Sequence, residues 1–225
     1  MEEIKTKGII LNCNDFDEAD KLVTVFSLEY GKIIVKFNGV RKQKAKLKSL
    51  AQPFSFVEIE CFKRGDFFTV KTGLVVDSFP KITNNFTTTI CAYIIMEIIA
   101  KILPKNKVEP NIFLAVSNAL DNMETNNPYT TTIYFILQFF DLLGETLSID
   151  MADNHVFLDL DLGNFCNYKT PNSIEIDKKC YSVLSAVFNK SQQEFPDALC
   201  KMTLKMLNNV FRTKYDIEIN SFNFL

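Results

Sequence analysis

Short stretches of alternating apolar and polar residues occupy the first 80 positions, and each reads as a strand. The spacing predicts strands over Gly8–Cys13, Lys21–Leu28, Gly31–Phe37, Phe54–Phe62 and Phe67–Val76. In the second of these, Leu22, Thr24, Phe26 and Leu28 share a face. In the third, Ile33, Val35 and Phe37 share one face and Lys32, Ile34 and Lys36 the other. The links Glu29-Tyr30-Gly31 and Lys63-Arg64-Gly65-Asp66 are turn-forming. Five short strands with turns between them predict a small closed barrel. The longest link follows the third strand, and its segment from Gln43 to Leu50 is rich in helix formers. A five-stranded barrel with a helix after its third strand is an oligonucleotide-binding (OB) arrangement.

After Phe79-Pro80 the period lengthens to that of helices. Asn85 to Leu103 is apolar nearly all round and is stopped by Pro104, which marks the central helix of a bundle. Pro110 opens a helix that continues to Met123, and Pro128 to Leu143 makes another, with Gly144 as its C-cap. Asp177 to Phe188 and Pro196 to Phe211 complete the set. Asp150 to Ser173 is polar and poorly periodic, an irregular insertion with at most a short hairpin. The expected fold class is α+β: an OB barrel over residues 1–80, then an all-helical domain over 81–225 with an insertion near 150–173.

Composition adds that 47% apolar content is ample for a core and excludes wholesale disorder. Charge changes the picture more. The formal net charge is −2, yet residues 1–80 carry 13 basic against 11 acidic side chains, and Val108 to Tyr168 carries nine acids with no Lys or Arg. Positive charge concentrates between Gly31 and Phe56, in Lys32, Lys36, Arg41, Lys42, Lys44, Lys46 and Lys48, with no acid between Glu29 and Glu58. A lysine run is often no more than a solvated loop. This one follows the Asn38-Gly39 turn and is tethered to strands on both sides, which favours a polyanion site. If the loop winds as a helix, Lys44 and Lys48 share one face and Lys42 and Lys46 a neighbouring one. Arg41, one of only three arginines, offers a planar fork for a phosphate. Phe37 alternates into the barrel and counts as packing before base stacking.

Catalytic chemistry is hard to assemble. His155 is the only histidine, and a Gly-rich phosphate loop, HExxH and GxSxG are all missing, so no catalytic residue, cofactor or enzymatic role is expected. Asp159 and Asp161 stand at strand spacing, as on an exposed hairpin edge. His155, Cys166 and Cys180 supply three soft ligands where a structural zinc site wants four, and Cys180 falls within a predicted helix. No metal site is expected. The six cysteines lack CxxC spacing, as in a cytosolic protein with reduced thiols. MEEIKTKG has no apolar signal core, and Ile90 to Leu103 is short of the ~20 residues that span a bilayer, so a cytoplasmic protein without membrane partner is expected.

Several stretches, in order, resemble the bacterial RecO family of recombination mediators. Gly8-Ile9-Ile10-Leu11 followed by Asp15-Phe16-Asp17-Glu18-Ala19-Asp20 resembles the family's opening strand and acidic turn. Val25 to Lys32 resembles its second strand and turn, and Gly39-Val40-Arg41-Lys42 with Leu47, Leu50, Gln52, Pro53 and Phe54 resembles its Gly-Ala-Arg element and closing Leu-Gln-Pro-Phe. Asn220 to Leu225 is a weaker echo of the usual Ser-x-x-Leu ending.

The resemblance implies an OB barrel joined to a helical domain, binding of single- and double-stranded DNA, annealing of complementary strands, and help in loading the RecA recombinase onto DNA coated by single-stranded-DNA-binding protein. It implies RecR and the acidic C-terminal tail of that coating protein as partners, and work at the bacterial nucleoid during repair. Two departures stand out. Many members carry two CxxC pairs after the third helix, where this chain has only Cys166, with Lys169 in its partner's place. Ala45 stands where a Ser is common. An acidic tail needs cations beside an apolar pocket, and Lys201, Lys205 and Arg212 fall on one face of the last helix with Leu204 and Met206 to either side. The competing reading is a protein adaptor whose basic loop meets an acidic partner rather than DNA.

Overall fold

Alternation of apolar residues turns inward along five strands and closes them into a barrel. The computed structural model describes residues 2–149, 157–191 and 193–225. The strands are β1 (Glu2–Phe16), β2 (Asp20–Ser27), β3 (Gly31–Phe37), β4 (Phe56–Arg64) and β5 (Phe67–Asp77). They neighbour one another in the order β1-β2-β3-β5-β4, and β4 returns to β1. All pairings are antiparallel except that of β3 with β5, which meet at Val35 and Phe68. β1 is longer than its alternation suggests because it serves two partners, β4 with Glu2–Ile9 and β2 with Gly8–Phe16. A register shift between Ile10 and Asn12 lets it bend from one to the other. The expected OB barrel is present, and helices follow it.

The barrel core holds Ile10, Val23, Val25, Ile33, Val35, Phe37, Val57 and Ile59. Full burial of a side chain such as Phe37 stabilises the fold by about 1.5–3 kcal/mol. On β2 the inward residues are Val23 and Val25. Phe26 is also fully buried, but packs against the ring of Phe113, 5.6 Å away between centroids.

Helices follow as α1 (Pro80–Asn84), α2 (Phe86–Ile102), α3 (Pro110–Met123), α4 (Pro128–Leu142), α5 (Lys178–Phe188) and α6 (Asp197–Tyr215). By packing, the described chain divides into two compact units. The first comprises the residues up to Asn84 with Met96–Glu124, and the second Asn85–Ile95 with Thr125–Leu225. The barrel unit thus includes α3 and the second half of α2, which a division at residue 80 assigns to the helical part.

Within the barrel unit, the link after α2 adds to the edge of β3. Asn106 N–H donates to the Lys32 carbonyl at 3.0 Å, and Lys32 and Lys105 form a parallel bridge. Gly31 has φ 67°, and a Cβ there would overlap the Lys107 carbonyl, so only glycine permits this approach.

In the second unit, Asn127 and Asp177 cap α4 and α5 through their carboxamide and carboxylate oxygens. Gly144, at φ 78°, follows the Leu143 C-cap of α4. α6 runs past Phe211 to Tyr215, whose ring stacks on Phe140 at 6.4 Å and whose hydroxyl donates to Glu145. Glu145 also pairs with Lys214 at 3.2 Å. Where at most a short hairpin was expected, three strands of three residues form a sheet in the order β7-β6-β8: β6 (Phe157–Asp159), β7 (Asn164–Cys166) and β8 (Ser173–Glu175). Asp159 holds the β6–β7 turn by accepting from the N–H groups of Asp161 at 2.9 Å and Leu162 at 3.0 Å. Strands this short show no period in sequence. His155, one of the weighed metal ligands, lies outside the described residues.

Candidate nucleic-acid interface

The connection from β3 to β4 carries the basic cluster. It does not wind into the helix that its propensities suggest. Instead Lys42 N–H donates to the Gly39 carbonyl, Ala45 to Lys42, Lys48 to Ala45 and Leu50 to Leu47, four successive turns that each close over three residues. Helix propensity is a weak preference, and here tertiary anchors decide: Val40, Leu50, Ala51 and Phe54 are all buried. Backbone bonds between Ile10 and the Phe54-Ser55 segment, at 2.9 and 3.0 Å, fasten the far end. The loop is pinned to the barrel while Lys42, Lys44, Lys46 and Lys48 remain exposed. Among the described residues, none of these four forms an ion pair with a carboxylate.

The other three expected cations are engaged. Arg41 pairs with Asp15 at 3.2 Å, donates to the Asp17 carbonyl at 3.2 Å, and bonds through its own N–H to Ala19 at 2.9 Å. Lys36 pairs with Asp20 at 3.0 Å and Asp17 at 3.6 Å, and its ammonium lies 5.1 Å from the Phe16 ring centroid. Hydrogen bonds from Gly39 N–H and from Lys36 hold the Asp20 carboxyl below the usual range, and the same pairing raises Lys36. Lys32 is buried, 8% exposed, and its ammonium donates to the Ala100 carbonyl near the C-terminus of α2. Carbonyls in a helix's last turn lack intrahelical donors and favour a cation. Burial and nearby Lys105 lower the Lys32 pKa. The acidic turn Asp15–Asp20 therefore faces the basic loop, a pairing foreshadowed by the β2–β3 register, which sets Lys21 against Phe37.

On α6, Lys205 and Arg212 are exposed, and Lys201 lies 5.5 Å from the Tyr129 ring centroid. Leu204 and Met206 are buried rather than available beside them. Arg212 lines an open polar cavity of about 560 Å³ with Asn209, Thr213, Asp216, Ile217 and Glu218. A smaller groove of about 240 Å³ is lined by Ile90, Tyr93, Ser221 and Phe224.

Among the described residues, no group of three or more His, Cys, Asp and Glu is placed to hold a metal ion, and no helix is long and apolar enough to cross a membrane. Burial pushes the thiols of Cys61 and Cys91 up to about 12 and that of Cys13 to about 11, so they are poor ligands and poor nucleophiles.

A closed β1-β2-β3-β5-β4 barrel with a pinned basic loop between β3 and β4 defines an OB-fold protein. Residues 1–79 match the model of the recombination protein O N-terminal domain and residues 83–215 that of its C-terminal domain, and the chain belongs to the RecO family. Similar proteins each bear the name DNA repair protein RecO. One from Geobacter metallireducens is 25% identical over 67% of this chain and 62% of its own length. One from Caldanaerobacter subterraneus is 22% identical over 100% of this chain and 98% of its own. A third, from Mycoplasma capricolum, is 26% identical over 87% and 79%.

Proposed function

We propose that this chain is a non-enzymatic, cytoplasmic DNA-repair protein that binds single- and double-stranded DNA through the loop between β3 and β4. In this reading it anneals complementary strands and helps load RecA onto DNA coated by single-stranded-DNA-binding protein, together with RecR. The carrying observation is that Lys42, Lys44, Lys46 and Lys48 project from a loop fastened to the barrel, and none of them forms an ion pair among the described residues. Phosphate contacts of this kind carry no sequence information, so binding is sequence-tolerant. Arg41 and Lys36 set the loop's position and Lys32 stabilises α2, so these three act on DNA through the fold. Lys205 and Arg212, with Lys201 beside them, are the proposed seat of the acidic tail.

A salt titration with labelled oligothymidine tests the reading. Neutralising about four phosphates gives a log–log slope near −3 on single strands. Reversing Lys44, Lys46 and Lys48 to Glu flattens the slope and abolishes annealing while leaving the barrel folded. Wild-type affinity and slope in that variant would sink the proposal. Loss of DNA binding at moderate salt in the unmodified protein, with RecR binding retained, would favour the adaptor reading.

A further inference from the structure

The barrel carries a second cationic cluster that the basic loop does not include. The β4–β5 hairpin turns at Gly65 and Asp66, with Gly65 at φ 60°. Its last pair sets Arg64 beside Phe67, and Phe67 is 80% exposed, the most exposed large apolar side chain among the described residues. Side chains paired across two antiparallel strands stand on the same face. The ring of Phe67 and the guanidinium of Arg64 therefore share one surface of the hairpin.

Two contacts hold that hairpin in place. On its other face Lys63 lies 4.9 Å from the Tyr30 ring centroid and 5.8 Å from that of Phe68. At its tip the Asn106 amide donates to Asp66 at 3.4 Å, which brings in the link that runs along the edge of β3. That link adds exposed Lys105 and Lys107. The acids here are Asp66, which accepts from Asn106, Glu109, which pairs with Lys107 at 2.6 Å, and Glu2, which stands opposite Lys63 in the β1–β4 register. Among the described residues, Lys63, Arg64 and Lys105 have no carboxylate partner.

A rigidly presented aromatic ring costs free energy when left in water, and the unpaired guanidinium of Arg64 beside it disfavours an apolar partner. The two features together suit a ligand that is anionic and has flat faces available. We propose that Phe67 stacks on an unpaired nucleobase of single-stranded nucleic acid, with Arg64 and Lys105 on the adjoining phosphates. Duplex DNA hides its base faces within the stack and is not a ligand for this site. The proposal rests on the DNA-binding reading above and names a second contact for the same ligand.

The chain has no tryptophan, so Phe67→Trp introduces the only indole. Labelled oligothymidine reports total binding by anisotropy, and the indole reports the hairpin. The expected result is saturable quenching of the indole that follows the anisotropy with single strands and is absent with a duplex of equal length. Phe67→Ala weakens single-strand binding about fivefold or more and leaves duplex binding unchanged. Binding seen by anisotropy without quenching, together with wild-type affinity in Phe67→Ala, overturns the stacking site alone. No binding by either signal overturns both readings.

Discussion

The carboxylate of Asp20 fixes the entry to the basic loop, accepting from Gly39 N–H at 2.6 Å and pairing with Lys36 at 3.0 Å. Its pKa is lowered on folding by those two partners. A lowered carboxyl contributes stability that is present above its unfolded value, near 4, and is lost as pH falls through the folded one. Melting temperatures between pH 6 and pH 3 should therefore fall more steeply for the wild type than for Asp20→Asn, which keeps an acceptor and loses the charge. Coincident slopes would remove Asp20 from the account. At the other proposed contact, Lys205→Glu should weaken binding of a labelled acidic tail peptide about tenfold, and unchanged anisotropy would move that site elsewhere. At this scale the sequence was a partial guide. Ile33, Val35 and Phe37 announced their burial through alternation, which is local. Lys32 and Arg41 did not, because their partners at Ala100 and Asp15 come from outside the loop.

Among the elements, the loop between β3 and β4 shows how tertiary anchoring overrides propensity. Gln43 to Leu50 favours a helix locally, yet the chain forms successive turns that deliver Leu50 to the barrel core. Leu50→Ala should then lower barrel stability by about 2–5 kcal/mol in chemical denaturation, and weaken DNA binding although Leu50 touches no phosphate. A loss confined to stability would show that the loop's lysines need no fixed support. The long helices were legible because their stops are single residues: Pro104 after α2, Pro110 and Pro128 at the starts of α3 and α4. The small sheet β7-β6-β8 was not, since its strands hold three residues each and its turn is made by the Asp159 carboxylate.

For the molecule as a whole, we propose that folding proceeds without zinc, because the six cysteines lack CxxC spacing and burial raises the thiols of Cys61 and Cys91 to about 12. Purified protein should hold well under one zinc per chain, and a chelator should leave the melting temperature unchanged. A melting temperature that drops on chelation would refute this. The contact between Gly31 and Lys107 bears on synthesis. The strands of the barrel end at Asp77, but the edge of β3 is finished by residues some way further along, at Lys105 and Asn106. At ~5–20 residues per second, a ribosome needs roughly 1.5–6 s to travel from one to the other. For that interval the nascent barrel carries an open edge, which on crowded polysomes invites pairing with a neighbouring chain. A fragment ending at Asn84 makes that interval permanent, and it should aggregate where one ending at Glu124 stays monomeric.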